Sequence, residues 1–173
     1  MKKWTIDPTH SEVGFKVKHM MFTNVKGLFN DYSADIDFND DLKEANLQFE
    51  AKINSIFTNN TDRDNHLKSA DFFDAEQHPT LNFKSTKIEG NGSEYEITGD
   101  LTIKGITKPV TLNAEFRGLM TDPWGNTKVG LNLDGKINRK DFGLTYNAAL
   151  ETGGVLVGED VKLNAEIQLV EQK

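Results

Sequence analysis

The chain has 173 residues, 20 basic and 27 acidic, for a formal net charge of −7. That is the length of one domain spanning residues 1–173. It contains no cysteine, which excludes disulfides, thiol catalysis and any zinc site built on cysteine. Its basic residues, among them Lys16, Lys18 and Lys26, form no stripe of the kind a nucleic-acid partner needs.

In chain order, the start Met1-Lys2-Lys3-Trp4 leads into no apolar signal segment, and no run of 18 apolar residues follows anywhere. The expectation is a cytoplasmic protein without an integral membrane segment. Val13, Phe15 and Val17 alternate with Lys16 and Lys18. Ala34, Ile36 and Phe38 alternate with Asp35 and Asp37, and Ala45 to Ile53 repeats the pattern. Such period-two alternation describes strands with one apolar and one polar face, as in a half-buried antiparallel sheet.

Asn60 to Ser69 reads as the one short helix, with a capping residue and early acids. A weaker helical turn is read near Met20-Met21-Phe22. Leu81 and Phe83 open another short strand. Long alternations follow at Tyr95–Ile103, Val110–Phe116, Val129–Ile137 and Val161–Leu169, the last strand beginning near Val157. Turn signals separate them: Asn91-Gly92, Lys104-Gly105, Asp122 to Asn126, and Gly153-Gly154. Eight to ten strands with one helix predict an all-β fold. A closed barrel with an apolar interior removes exposed edges, and eight strands can enclose one small ligand.

The polar residues give no catalytic constellation. His10, His19, His66 and His78 show no i, i+4 pair, so no zinc helix is expected. Asp35-Ile36-Asp37 resembles a calcium loop start but has Asp40 where glycine belongs, and it reads better as strand. His10 and Ser11 are adjacent and would point to opposite faces of a strand, so they make no nucleophile–base pair.

Phenylalanine is more informative, with 11 in the chain. Phe15, Phe29, Phe38, Phe49, Phe83 and Phe116 fall on apolar strand faces. Phe22, Phe57, Phe72, Phe73 and Phe142 fall in loops or near strand ends. These rings either line a cavity or plug the barrel. His19, Arg63, Asp64, His66, Arg139 and Asp141 lie close in sequence to the loop rings. They form either a polar rim that orients an amphiphile or an internal Arg–Asp pair that fixes loops.

Several separated motifs resemble the YceI-like family. They are Trp4-Thr5-Ile6-Asp7-Pro8-Thr9-His10-Ser11, Phe15 to His19, Gly27-Leu28-Phe29, Ser55 to Thr58, Arg63 to Asp74, Gly99 to Val110, Arg139 to Leu144 and Val157 to Val161. The resemblance implies an extended eight-stranded antiparallel lipocalin-like barrel. It implies that an isoprenoid lipid, a prenyl diphosphate or an isoprenoid quinone, is bound in an apolar tunnel, and it implies no catalytic residue; no other cofactor and no metal are expected. It also points to a homodimer. On this reading the lipid-binding residues are Phe15, Val17, His19, Phe22, Phe29, Phe49, Phe72, Phe83, Phe116, Arg139, Asp141 and Phe142. Two rivals stand beside it: a hydrolase or isomerase of a prenyl substrate using Asp64, His66 or Asp141, and a plugged barrel serving as an interaction module.

Overall fold

The structure is a computed structural model that describes residues 1–147 and 156–173. Its strands are β1 (Lys3–Ile6), β2 (Glu12–His19), β3 (Thr23–Phe29), β4 (Tyr32–Asp37), β5 (Asn46–Lys52), β6 (Ile56–Phe57), β7 (Thr80–Asn91), β8 (Glu94–Ile103), β9 (Ile106–Thr121), β10 (Thr127–Asn138) and β11 (Val157–Glu171); one helix, α1 (Thr61–Lys68), lies between β6 and β7. The Gly153-Gly154 turn lies outside the described residues.

All neighbours are antiparallel, and the sheet closes on itself where Thr5 of β1 pairs with Val170 of β11. Three of the barrel's eight strands are interrupted. Both β1 and β2 pair with β11. Next to them β4 pairs with β1 and β3 with β2, and then β5 pairs with β4 and β6 with β3. The expected eight-stranded antiparallel barrel is therefore present. Its interruptions, a 3-10 turn at Pro8–His10, the link at Asn30 and Asp31, and a 3-10 turn at Ile53–Ser55, divide those three strands into six segments.

The alternation places side chains as expected. Along β11, Val161, Leu163, Ala165 and Ile167 face inward while Lys162, Asn164 and Glu166 face solvent. β7 is longer than its short apolar start suggested, at 12 residues. The Asp35-Ile36-Asp37 segment is strand β4, as its alternation indicates, and Asp37 meets Lys3 Nζ at 3.2 Å on the outer face. The Met20-Met21-Phe22 segment is not helical. Met20 and Met21 both adopt left-handed backbone, φ 53° and 68°, and the Phe22 amide donates to the His19 carbonyl at 3.3 Å. The two left-handed centres and this bond make a primed turn, with Phe22 as a third residue before His19 pairs with Thr23.

α1 begins as the sequence predicts. The Asn60 side chain accepts from the Arg63 amide at 3.0 Å, satisfying one of the free donors of the first turn. Buried Asp64 accepts from the amide and hydroxyl of Thr58, at 2.9 and 2.5 Å. Arg63 reaches the Thr58 hydroxyl and carbonyl at 2.8 and 2.6 Å. The helix is thereby fastened across one end of the barrel, together with the β2–β3 turn. We call this end the mouth.

The opposite end is closed by aromatic packing. Trp4 stacks on Phe38 with ring centroids 4.8 Å apart and planes 10° from parallel, and its indole N–H donates to the Phe38 carbonyl at 3.1 Å. Phe116 meets Phe38 edge-on at 6.3 Å and Tyr95 at 6.4 Å. Offset and edge-on pairs of this kind add to the stabilisation from burial. They form the floor.

Candidate functional site

Between floor and mouth the barrel is hollow. A cavity of about 700 Å³ falls within the range of small-molecule sites, ~300–1,000 Å³. Its wall is the inward face of the strands, including Phe15, Phe29, Phe83, Leu101, Leu133 and Leu163. The polar part of the lining comes mainly from the mouth: His19, Asn60, Asp62, Arg63, His66 and Tyr146. An apolar bore with polar groups at one end suits a long amphiphile whose head remains near that end.

Two glycines make room for rings in this wall. A Cβ on Gly27 would stand 2.2 Å from Phe15 Cζ, and one on Gly99 would stand 2.5 Å from Phe83 Cζ. Each ring therefore lies flat over the neighbouring strand's backbone rather than projecting into the hollow.

Of the residues singled out from sequence, Phe15, Val17, His19, Phe29, Phe49, Phe72, Phe83 and Arg139 line the cavity. Four do not. Phe22 is 90% exposed at the hairpin tip. Phe116 belongs to the floor. Phe142 is buried in the core around the mouth, and Asp141 beside it faces solvent. Tyr146 was missed. Its ring packs against His66 and Phe72, at 4.8 and 5.1 Å, and nothing but a lone aromatic marks it in the sequence.

Arg139 is the buried cation of the site, 3% exposed. It starts the 3-10 turn Arg139–Phe142, which ends on left-handed Gly143 at φ 73°. Its Nε donates to the Gly158 carbonyl at 2.7 Å, one terminal nitrogen to the Leu144 carbonyl, and the other to the Val157 carbonyl at 3.2 Å. The expected alternative of an internal Arg–Asp pair is not what fixes these loops. No carboxylate among the described residues lies within ion-pair distance of Arg139, and nearby Glu159 is held by Lys140 at 2.7 Å. Burial pushes the guanidinium below its ordinary value, with Glu159 opposing the shift. Of its five N–H donors, three serve these carbonyls. A positive charge with no ion-pair partner among the described residues thus stands in the cavity lining, an arrangement that can accept an anionic group.

The groups an acid–base reaction would need do not converge. Asp64 is committed to Thr58, Asp141 is outside, and His66 Nε2 lies 3.0 Å from Asp71 on the rim. Nor do His10 and Ser11 cooperate. His10 Nδ1 pairs with Asp7 at 2.8 Å, while the Ser11 hydroxyl accepts from the Gln168 amide at 2.9 Å.

Comparison with known proteins matches this geometry to a family. The YceI-like domain matches residues 4–169. The chain belongs to the YceI-like family. A UPF0312 protein of Staphylococcus epidermidis is 40% identical over 172 residues, covering 97% of both chains. The crystal structure of a Campylobacter jejuni YCEI protein superposes with TM-score 0.78 at 40% identity, covering 96% of each chain. A polyisoprenoid-binding domain from Saccharophagus degradans shares the fold at TM-score 0.67 and 13% identity, over 98% of each chain. Among the described residues no helix is long and apolar enough to cross a membrane.

Proposed function

We propose that this barrel binds a long-chain isoprenoid lipid non-covalently, as a carrier or store, without chemical turnover. The observation that carries the reading is the apolar cavity itself, open toward a polar rim and closed by the aromatic floor. Burial is worth about 0.8 kcal/mol per CH₂, so a few isoprene units outweigh an association cost of ~4–15 kcal/mol. The solved relative described as polyisoprenoid-binding supports the same class of ligand. The tail would lie along Phe15, Phe29 and Phe83. The head, a diphosphate or a quinone ring, would lie toward Arg139 and the rim.

The test is direct. Gently purified protein is extracted with organic solvent and the extract analysed by mass spectrometry. A stoichiometric isoprenoid is the expected result, and protein free of lipid under several growth conditions would overturn the reading. Turnover of a labelled prenyl diphosphate would favour the hydrolase or isomerase instead.

A further inference from the structure

The outer face and tip of the β2–β3 hairpin carry charge and apolar surface beyond the cavity wall. From Val13 to Phe29 the chain has three lysines and no carboxylate, in a protein of net charge −7. Lys16 stands opposite Lys26 on β3 and opposite Lys162 on β11. Because Phe15, Val17, Val25, Val161 and Leu163 line the cavity, these lysines form one row on the outer face of three adjacent strands. Like charges placed directly across strands repel. Among the described residues none of the three, nor Lys18 at the mouth, has a carboxylate within ion-pair distance. The next lysine in the row, Lys136 opposite Lys162, does have one, Asp160 at 3.8 Å.

The tip adds a second cost at the same place. Its turn is a type that favours Asn-Gly, yet two methionines occupy the left-handed positions. Their side chains and that of Phe22 are 46%, 52% and 90% exposed. The end of the β9–β10 hairpin, where Leu119, Met120 and Trp124 are exposed, provides a contrast. There the cations are matched, Lys128 to Asp122 at 3.5 Å and Arg117 to Glu115 at 3.9 Å.

We propose that the β2–β3 hairpin docks the mouth onto an anionic phospholipid bilayer. Met20, Met21 and Phe22 enter the interface, and Lys16, Lys18, Lys26 and Lys162 meet the lipid phosphates. An apolar tip flanked by unpaired lysines has the two components of interfacial binding, buried apolar surface and attraction to anionic lipid. His19 and Val25, on the two strands of the hairpin, line the cavity, so docking brings the opening to the membrane surface. The inference stands apart from the identity of the cargo.

The test uses delipidated protein and co-sedimentation with phosphatidylcholine vesicles, with and without phosphatidylglycerol. Binding only to phosphatidylglycerol vesicles, weakening as salt rises, is expected. The triple variant Lys16→Gln, Lys26→Gln, Lys162→Gln should lower the partition coefficient on the order of 100-fold, about fivefold per lysine. The double variant Met21→Ser, Phe22→Ser should lower it as well; both should keep the parent's circular dichroism, and the triple variant, relieved of like-charge repulsion, should melt no lower than the parent. Binding to neither vesicle, equal binding to both, or a triple variant that binds as the parent does would overturn the proposal. Solvent extraction reads the cargo separately, so either reading can fail alone.

Discussion

The ring of Phe15 occupies the space where a side chain at Gly27 would be: a Cβ there would stand 2.2 Å from Phe15 Cζ. The two residues face each other across β2 and β3, and the ring is nearly fully buried beside Phe29 at 5.7 Å. Gly27→Ala must swing the ring into the hollow or part the strands. The expected cost is about 1–3 kcal/mol, or roughly 2–4 °C in thermal midpoint per kcal/mol for a chain of this size. Thermal unfolding followed by circular dichroism reads it, and an unchanged midpoint would mean that the ring has room to move.

Arg139 ties three carbonyls from two separated segments to one guanidinium. Arg139→Gln leaves buried acceptors without their charged donor, and each such bond is worth about 1.5–3 kcal/mol. Urea unfolding should show a lower midpoint with the same slope. Arg139→Lys should not restore it, because a point ammonium cannot reproduce the planar fork.

Leu133 lines the cavity and is paired with Ala114 on one side and Ala165 on the other. These small neighbours leave space for a larger ring. Leu133→Trp should fold as the parent does and retain less lipid on extraction; equal lipid per protein would place the cargo elsewhere. Phe29 is the poorer position for this test. Its ring is buried against Phe15 and Phe73, so a charge placed there would destabilise the barrel as well as the cavity.

Asp122 organises the β9–β10 turn by accepting from the amides of Trp124 and Asn126, both at 2.9 Å. The Asn126 amide, with further help from the Asn126 side chain, Trp124 and Lys128, holds its carboxyl below the ordinary value of 3.8. A carboxyl lowered in the folded state stabilises fully above its unfolded value. That contribution is lost as pH falls through the lower folded value. Asp122→Ala should therefore melt below the parent at neutral pH, and the gap should narrow once the pH drops beneath about 4. A gap that stays constant across this range would show that the ionised form contributes nothing.

Period-two alternation carried most of the fold, because it reports which side of the sheet each residue faces. It is blind to height along the barrel axis. Phe83 and Phe116 both sit on inward faces, yet one lines the cavity and the other packs in the floor, and only the register of the closed sheet separates them. Arg139 was legible as a site residue from its type and motif. Its carbonyl partners were not, since Val157 and Gly158 lie far along the chain and contribute only backbone. The hairpin at Met20-Met21 was misread as a helical turn because neither glycine nor asparagine marks it. The strand breaks were equally silent, each being only a few residues long and held by backbone and local polar contacts.

Those breaks lie side by side. The Asn30 amide donates to the Ser55 carbonyl at 3.2 Å and the Lys52 amide to the Asp31 carbonyl at 2.9 Å. On the neighbouring strand, Asp7 and Ser11 are fastened to Gln168. Together they crease the wall along one line, with β1, β4 and β5 on the floor side and β2, β3 and β6 on the other. A wall creased in this way is divided like a split collar. The Trp4–Phe38 stack lies on the floor side of that line. Hydrogen exchange should find the amides of β3 and β6 exchanging ahead of those in β1 and β4, which the aromatic stack holds on the floor side.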